Sequence, residues 1–264
     1  MFAPDLLKGK VVVITGGGTG IGLAIAKRLG SLGARVAIGS RNSQHLEEGC
    51  SALREHGVDA LALQVDVRQP EQVDEMVERT VKHFGGLDIL VNNAAGNFIC
   101  RAEELSPNGW NAVIGIVLNG SFYCSRAAGQ YMIASKRGGS IVSILANYVW
   151  TGSPGTIHSA AAKAGVMSMT QTLAVEWAAH GIRVNAVAPG AIESPGAARQ
   201  LWSTPEAVER ITNRVPLKRW GRPDEVADAV AFLVAPQSGY ITGEVLTIDG
   251  GARLGIGTFG FTQQ

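Results

Sequence analysis

The chain has 264 residues, and its 23 basic and 22 acidic side chains give a formal net charge of +1. The two signs are interspersed, which argues against nucleic-acid and membrane-surface binding, so we expect a small-molecule partner. The length suits one well-buried α/β domain over residues 1–264, with no linker to divide it. Cys50, Cys100 and Cys124 are widely spaced, which argues against disulfides and against a zinc site. We therefore expect reduced thiols and no bound metal.

No apolar segment approaches the ~20 residues that are needed to span a bilayer. The first residues lack a charged region followed by an apolar one, and the C-terminal Thr262-Gln263-Gln264 is not a peroxisomal signal. We therefore expect a cytoplasmic protein.

Short apolar runs that alternate with helical patterns predict seven strands. In chain order they cover 11–14, 34–39, 61–65, 87–91, 140–145, 182–187 and 245–248. The helices between them include a long one after Ser106 and an alanine-rich one from about 159 to 180. Because strand and helix alternate without an internal repeat, we expect a single doubly wound Rossmann domain, with a mostly parallel sheet and helices on both faces. The proline-interrupted stretch 191–220 is predicted to be a small helical lid.

A glycine-rich turn follows the first predicted strand. Residues 11–14 are β-branched or apolar without alternation, as in a strand that is buried on both faces. The sequence Thr15-Gly16-Gly17-Gly18-Thr19-Gly20-Ile21-Gly22 then leads into a helical pattern. Glycines at this place let the backbone approach a pyrophosphate, and the unpaired N–H groups of the helix start face the anion. The sequence therefore predicts a dinucleotide site.

The residues after the second and third strands indicate which dinucleotide binds. An acidic residue after the second strand would hold the ribose hydroxyls of NAD, but this chain has Ser40-Arg41. Arginine offers a forked donor for a 2′-phosphate, so NADP is favoured; the alternative is that Arg41 merely opens a solvated helix. Asp66 either accepts a hydrogen bond from the adenine amino group or caps the following turn.

Several motifs together resemble the short-chain dehydrogenase/reductase superfamily over essentially the entire chain. They are Thr15-Gly16-x-x-x-Gly20-x-Gly22, Asn92-Asn93-Ala94-Ala95-Gly96, Asn119, Lys163 and Pro189-Gly190. The usual catalytic pair is missing, because Ser159 stands where the superfamily has tyrosine and Ala146 where it has serine. The NADP contacts that the resemblance implies fall on Gly16, Gly18, Thr19, Gly20, Ile21, Arg41, Asp66, Asn92, Lys163, Pro189, Gly190 and Ile192.

A different tyrosine, Tyr148, follows the fifth predicted strand. With Gly96-Asn97-Phe98-Ile99 and Val117-Leu118-Asn119-Gly120, its placement resembles the NADPH-dependent 2,4-dienoyl-CoA reductases of mitochondrial type. The peroxisomal branch lacks an equivalent of Tyr148. The resemblance implies the following catalytic residues: Asn97, Tyr148, Ser159 and Lys163. It also implies that four residues lie near the acyl-CoA substrate: Arg41, Arg68, Phe98 and Ser106.

These residues suit the reduction of a 2,4-dienoyl-CoA to a 3-enoyl-CoA, an auxiliary step of unsaturated fatty acid β-oxidation. Hydride delivery to the fifth carbon would place charge on the thioester oxygen, which Tyr148 and Asn97 would stabilise as an oxyanion hole. Lys163 would hold the nicotinamide ribose and, by its charge, make Tyr148 a better donor. Ser159 would steady Lys163, and Asn119 would bond backbone or water nearby.

Each of these residues also has a structural interpretation. Ser159 could be the N-cap of the following helix, Tyr148 could form an aromatic patch with Trp150, and Asn97 could close a turn. For His158, a histidine satisfied within a loop is favoured over a general acid. Two other functions stay open: an NADP-dependent carbonyl reductase of the same superfamily, and a non-catalytic NADP-binding protein.

The lid and the tail carry further expectations. The resemblance implies a basic residue near position 200, where the chain has Arg199-Gln200. Trp150, Trp202 and Trp220 could wall an apolar tunnel for the acyl chain. As superfamily members are commonly tetramers, we expect a homo-oligomer in which the aromatic tail 257–261 crosses to a neighbouring subunit.

Overall fold

In the part of the chain that the computed structural model describes, residues 2–193 and 205–254, the strands form one parallel sheet. They are β1 (Val11–Thr15), β2 (Arg35–Ser40), β3 (Ala60–Gln64), β4 (Ile89–Asn92), β5 (Gly139–Ile144), β6 (Ile182–Pro189) and β7 (Val245–Ile248). Their order is β3-β2-β1-β4-β5-β6-β7, and every neighbouring pair is parallel. The predicted Rossmann architecture is confirmed, and the strand order reverses between β1 and β4.

Helices cover both faces of this sheet. They are α1 (Gly20–Ser31), α2 (Ser43–Arg54), α3 (Pro70–Phe84), α4 (Pro107–Ile114), α5 (Gly120–Ser135), α6 (Ile157–Trp177), α7 (Pro205–Arg214) and α8 (Pro223–Val234). Ile14 of β1 joins one buried cluster with side chains of α1, α2 and α8, whereas Val13 joins another with side chains of α3 and α5. Successive residues of β1 thus point to opposite faces that are both buried, which explains why its sequence is apolar without alternation.

The long helix predicted after Ser106 is interrupted. Ser106 caps α4, since its Oγ accepts a hydrogen bond from the backbone N–H of Gly109 at 3.1 Å. A π-helical turn, Gly115–Asn119, then joins α4 to α5. No helix within the described ranges is long and apolar enough to cross a membrane.

The lid predicted over 191–220 is described at residues 191–193 and from residue 205 onward. It carries α7, and a parallel bridge between Ile192 and Gly221 joins its two ends. Trp220 lies against α7, where its Nε1 donates to the Thr212 hydroxyl at 2.9 Å. Arg199-Gln200, Trp202 and the tail 257–261 lie outside the described residues, so the expectations for them stay predictions.

Candidate active site

A cavity of about 900 Å³ opens beyond the carboxyl ends of β1, β2 and β4. This is where the strand order reverses, which is the place where open α/β sheets bind their ligands. Six of the residues predicted to contact NADP line it: Gly16, Gly18, Thr19, Gly20, Ile21 and Arg41. The rest of that predicted set does not line this cavity: Asp66, Asn92, Lys163, Pro189, Gly190 and Ile192.

The glycine turn leaves no room for side chains. Gly16 has a φ of +65°, and a Cβ on Gly22 would lie 2.2 Å from the Gly16 carbonyl oxygen. A Cβ on Gly18 would lie 2.2 Å from the carbonyl oxygen of His45. Thr19, the N-cap of α1, makes no side-chain capping bond to the described residues, so the first N–H groups of α1 remain able to donate hydrogen bonds to a ligand. A turn whose backbone can approach a ligand closely, followed by N–H groups that can donate to it, fits the pyrophosphate of a dinucleotide.

Of the two asparagines that follow one another at the end of β4, Asn93 lines the cavity and Asn92 is buried. The Thr15 hydroxyl accepts hydrogen bonds from the backbone N–H groups of Asn93 and Ala94, both at 3.0 Å, and Asn93 Nδ2 donates to the Thr15 carbonyl oxygen at 3.0 Å. Asn92 Nδ2 instead donates to the Ser125 hydroxyl at 2.9 Å. Asn92 was the residue predicted to contact NADP, whereas the structure places its neighbour Asn93 at the cavity, because successive side chains point to opposite sides of an extended chain.

Three charged side chains lie beyond β2 and β3. Arg68 Nε donates to both carboxylate oxygens of Asp66 at 3.0 Å, and this contact holds the pKa of Asp66 below its ordinary value. Asp66 also accepts from the Arg68 backbone N–H at 3.0 Å, which is the turn-capping interpretation of that residue. Arg41 lies farther from Asp66, with 3.9 Å between the closest nitrogen and oxygen, and its side chain is 55% exposed. Arg41 therefore keeps donors for a ligand, whereas Arg68 is engaged.

Two polar contacts lie at the end of β5 and involve Tyr148, Ser159 and Lys163. The Tyr148 hydroxyl lies 2.9 Å from Ser159 Oγ, and Lys163 Nζ donates to the carbonyl oxygen of Ile144, the last residue of β5. Ser159 thus contacts Tyr148, which corrects the expectation that it steadies Lys163. Its interpretation as an N-cap is also wrong, because α6 begins at Ile157 after the N-cap Thr156.

Burial sets the protonation states of this group. It raises the pKa of the Tyr148 phenol above its ordinary value, an effect that the Ser159 hydrogen bond opposes. The phenol therefore keeps its proton near neutral pH and can act as a donor. Burial also lowers the pKa of Lys163 to about 8. The ammonium is thus charged at neutral pH, although its side chain is buried.

Asn97 lies in the loop after β4, the neighbour of β5 in the sheet, and it lines the cavity together with Phe98. Its Oδ1 accepts a hydrogen bond from the backbone N–H of Phe98 at 2.9 Å. This is the local contact expected of a turn residue. It also orients the amide, because the oxygen is engaged and Nδ2 is left as a donor.

Two residues near this group differ in setting from what the sequence suggested. Asn119 lies on the π turn and is exposed, and its side chain makes no hydrogen bond to described residues; a bond to water stays a prediction. His158 is not a satisfied loop histidine: it is the second residue of α6, it is fully buried, and neither ring nitrogen has a hydrogen-bond partner in the described chain. Trp150, in contrast, is 43% exposed and lies under the Arg253 guanidinium, 4.7 Å from the ring centroid.

A polar link that was not predicted lies beyond β5, β6 and β7. Asn147 Nδ2 donates to Asp249 Oδ2 at 3.2 Å, and a Cβ on Gly190 would lie 2.7 Å from the Asp249 Cβ. The turn sequence Asp249-Gly250-Gly251 directly after β7 was the available signal. This link fixes the loop that carries Tyr148, because Asn147 is the preceding residue.

Comparison with known proteins identifies the family. A family model described as Enoyl-(Acyl carrier protein) reductase matches residues 16–253. A Bacillus subtilis protein named Probable 2,4-dienoyl-CoA reductase, (2E)-enoyl-CoA-producing, is 49% identical over 246 residues, which cover 93% of this chain and 97% of that protein. An Arabidopsis thaliana protein named Peroxisomal 2,4-dienoyl-CoA reductase, (3E)-enoyl-CoA-producing, is 42% identical over 263 residues, which cover 96% and 87%. The crystal structure of a short chain dehydrogenase from Bacillus anthracis, 46% identical, matches with a TM-score of 0.87 and covers 96% of this chain and 99% of its own.

The fold and the glycine cavity define a nicotinamide-dependent oxidoreductase. The chain belongs to the short-chain dehydrogenase/reductase superfamily, within the family whose model is described as Enoyl-(Acyl carrier protein) reductase. The resemblance to this superfamily and to 2,4-dienoyl-CoA reductases is confirmed, whereas the mitochondrial type stays a prediction.

Proposed function

We propose that this protein reduces 2,4-dienoyl-CoA thioesters to 3-enoyl-CoA products with NADPH. The observation that carries the proposal is the contact between the Tyr148 hydroxyl and Ser159, one helical turn from Lys163. The phenol thus contacts the residue that stands at the tyrosine position of the superfamily, which supports Tyr148 as its substitute. The two relatives described above are both named 2,4-dienoyl-CoA reductases, which supports the substrate class.

Tyr148 and Asn97 are suited to hold developing charge. When bound, NADPH supplies a hydride, which in this reaction adds to the fifth carbon of the conjugated thioester and leaves a dienolate with its charge on the thioester oxygen. The Tyr148 O–H and Asn97 Nδ2 donate to that oxygen. Because the pKa of the buried phenol is raised, Tyr148 stabilises the charge without giving up its proton.

A proton from water then adds to the alpha carbon, and the remaining double bond lies between the third and fourth carbons. Hydride and proton together account for the two hydrogens that the substrate gains. The Bacillus subtilis and Arabidopsis thaliana relatives are named for different product isomers, so the product must be identified directly. In D₂O, the proposed route incorporates one deuteron at the alpha carbon; deuterium at the fourth carbon would contradict it.

Lys163 and Ser159 act on the positions of other groups. The buried ammonium of Lys163 is fixed by the Ile144 carbonyl, and its remaining donors would bind the nicotinamide ribose. Its positive charge also makes the nearby Tyr148 a better donor. Ser159 orients the phenol through the 2.9 Å contact.

Arg41 supports NADPH over NADH as the cofactor. It lines the cavity at the end of β2, and none of the described residues that line this cavity is acidic. A guanidinium with free donors binds the 2′-phosphate of NADP, whereas NADH offers hydroxyls for which a carboxylate is the usual partner.

The test is the loss of NADPH absorbance with 2,4-hexadienoyl-CoA, and separately with simple ketones. Turnover of the thioester alone supports the proposal. Turnover of ketones alone would indicate a carbonyl reductase, and tight NADPH binding without any turnover would indicate a non-catalytic NADP-binding protein.

The predicted homotetramer is also part of the proposal. Phe122 on α5 and Val175 on α6 are 46% and 80% exposed, which supports an apolar contact between subunits. Elution volume on a calibrated sizing column tests the oligomeric state. Removal of residues 257–264 is expected to loosen the assembly, and an unchanged elution volume would count against a role for the tail.

A further inference from the structure

The buried imidazole of His158 has no part in the reaction proposed above. His158 directly precedes Ser159 on α6, and its side chain is fully buried. Neither Nδ1 nor Nε2 has a hydrogen-bond partner among the described residues. Burial lowers the pKa of the ring, so His158 is uncharged near neutral pH. The uncharged ring can therefore pack against its neighbours through its flat aromatic face.

That surface contacts Phe98. The two ring centroids lie 4.4 Å apart, with 43° between the ring planes. Phe98 lines the cofactor cavity, and its backbone N–H is the group that binds Asn97 Oδ1 at 2.9 Å. A displacement of Phe98 would therefore move the group that orients the Asn97 amide.

Backbone contacts join the same two segments. The N–H of Cys100 donates to the carbonyl oxygen of Gly155 at 2.9 Å, and a Cβ on Gly155 would lie 3.3 Å from the Ile99 side chain. The loop after β4 thus rests on the segment that leads into α6. The contact between His158 and Phe98 is a side-chain link in this junction, one residue from Ser159.

We propose that His158 is a positioning residue: its ring supports Phe98 and thereby fixes the Asn97 amide relative to the Tyr148 and Ser159 hydroxyls. The kinetic consequence rests on the proposed function, whereas the structural consequence does not. The ring surface performs this role without its nitrogens, so phenylalanine can replace His158 and alanine cannot.

Kinetics with NADPH and 2,4-hexadienoyl-CoA test the consequence for turnover. His158→Ala is expected to lower kcat about tenfold, because small misplacements of a donor are costly, while the Kd of NADPH is unchanged. Phe98→Ala is expected to lower kcat at least as much, since it also removes a side chain that lines the cavity. The double variant is expected to lose no more activity than Phe98→Ala alone, because the two residues act as a unit. His158→Phe is expected to keep kcat within about twofold of the parent, as is the matched control His180→Ala at an exposed position after α6.

Fluorine NMR tests the positioning itself without turnover. The protein is labelled with 4-fluorophenylalanine and saturated with NADP⁺, and the Phe98 resonance is assigned by its loss in Phe98→Leu. His158→Ala is expected to shift and broaden this resonance, whereas His180→Ala leaves it unchanged. An inactive parent protein would refute the proposed function, and the Phe98 resonance would still report on His158.

Three results would overturn the inference. The first is a Phe98 resonance that does not respond to His158→Ala. The second is a loss of kcat in His158→Phe as large as in His158→Ala, since the nitrogens would then be the active part. The third is a double variant whose defect equals the product of the two single defects, because the residues would then act independently.

Discussion

Replacement of Tyr148 by phenylalanine tests the central contact of the site, because it removes one hydroxyl and keeps the ring. Loss of one oxyanion donor costs about 3–4 kcal/mol, or two to three orders of magnitude in kcat. We expect about two orders, since the Asn97 amide remains as a second donor. The Kd of NADPH is expected to change little, because Tyr148 does not line the cavity that holds the glycine turn.

The same substitution has a cost in stability. Ser159 is 2% exposed, and its hydroxyl loses its contact with Tyr148. A buried hydroxyl without a partner costs about 1–3 kcal/mol. In a chain of this length each kcal/mol lowers Tm by about 2–4 °C, so a fall of several degrees is expected in a thermal melt.

The assay follows NADPH absorbance with saturating 2,4-hexadienoyl-CoA, at a temperature well below the Tm of the variant. Tyr240→Phe, at a fully exposed tyrosine, is the matched control and is expected to match the parent in kcat and Tm. Ser159→Ala keeps the phenol and is expected to lose less activity than Tyr148→Phe. If Tyr148→Phe binds NADPH normally and retains kcat within about twofold, Tyr148 is not the donor that the mechanism requires.

Three further predictions concern the cofactor and Lys163. Arg41→Ala is expected to weaken NADPH binding by about 10- to 100-fold and NADH binding far less, since it removes charge-assisted hydrogen bonds to the 2′-phosphate. Fluorescence titration with both dinucleotides measures the difference. Equal losses of affinity for the two dinucleotides would contradict the assignment of Arg41. Gly18→Ala is expected to abolish binding of both dinucleotides in the same titration, because the added Cβ would lie 2.2 Å from the His45 carbonyl oxygen. Retained binding would show that the backbone of the glycine turn can move to accept a side chain. Burial lowers the pKa of Lys163 from 10.5 to about 8, so between these values the unfolded chain holds a proton that the folded chain has lost. The free energy of unfolding should therefore rise with pH through this window, and urea denaturation should show that Lys163→Met flattens the rise.

The sheet was predictable because parallel strands that are buried on both faces consist of uninterrupted apolar runs. Every predicted strand is present, with ends that differ by at most two residues from those observed. The glycine turn was equally readable, since the close approach of Gly18 and Gly22 to backbone atoms permits no other residue.

The site was less predictable, because its contacts depend on small shifts in chain position. α6 begins at Ile157, which places Ser159 inside the first turn instead of at the cap and turns it toward Tyr148. The pairing of Arg68 with Asp66 is a turn contact, and no sequence pattern indicated that the turn would engage the guanidinium. The ring of His158 could not be placed either, since its contact with Phe98 joins segments that are far apart in sequence.

The π turn Gly115–Asn119 allows α4 and α5, which follow one another without a gap, to pack into two separate hydrophobic clusters. Such a turn holds one residue more than an α-helical turn, so the residues before and after it differ in angular phase by about 100°. Val113 and Val117 therefore enter the cluster that includes Val166 of α6, beneath the Tyr148 loop, whereas Cys124 and Ala128 enter the cluster under the middle of the sheet. If the α-helical repeat continued unchanged from α4 to α5, these side chains would form a single apolar stripe on one face. They would then fill only one of the two clusters.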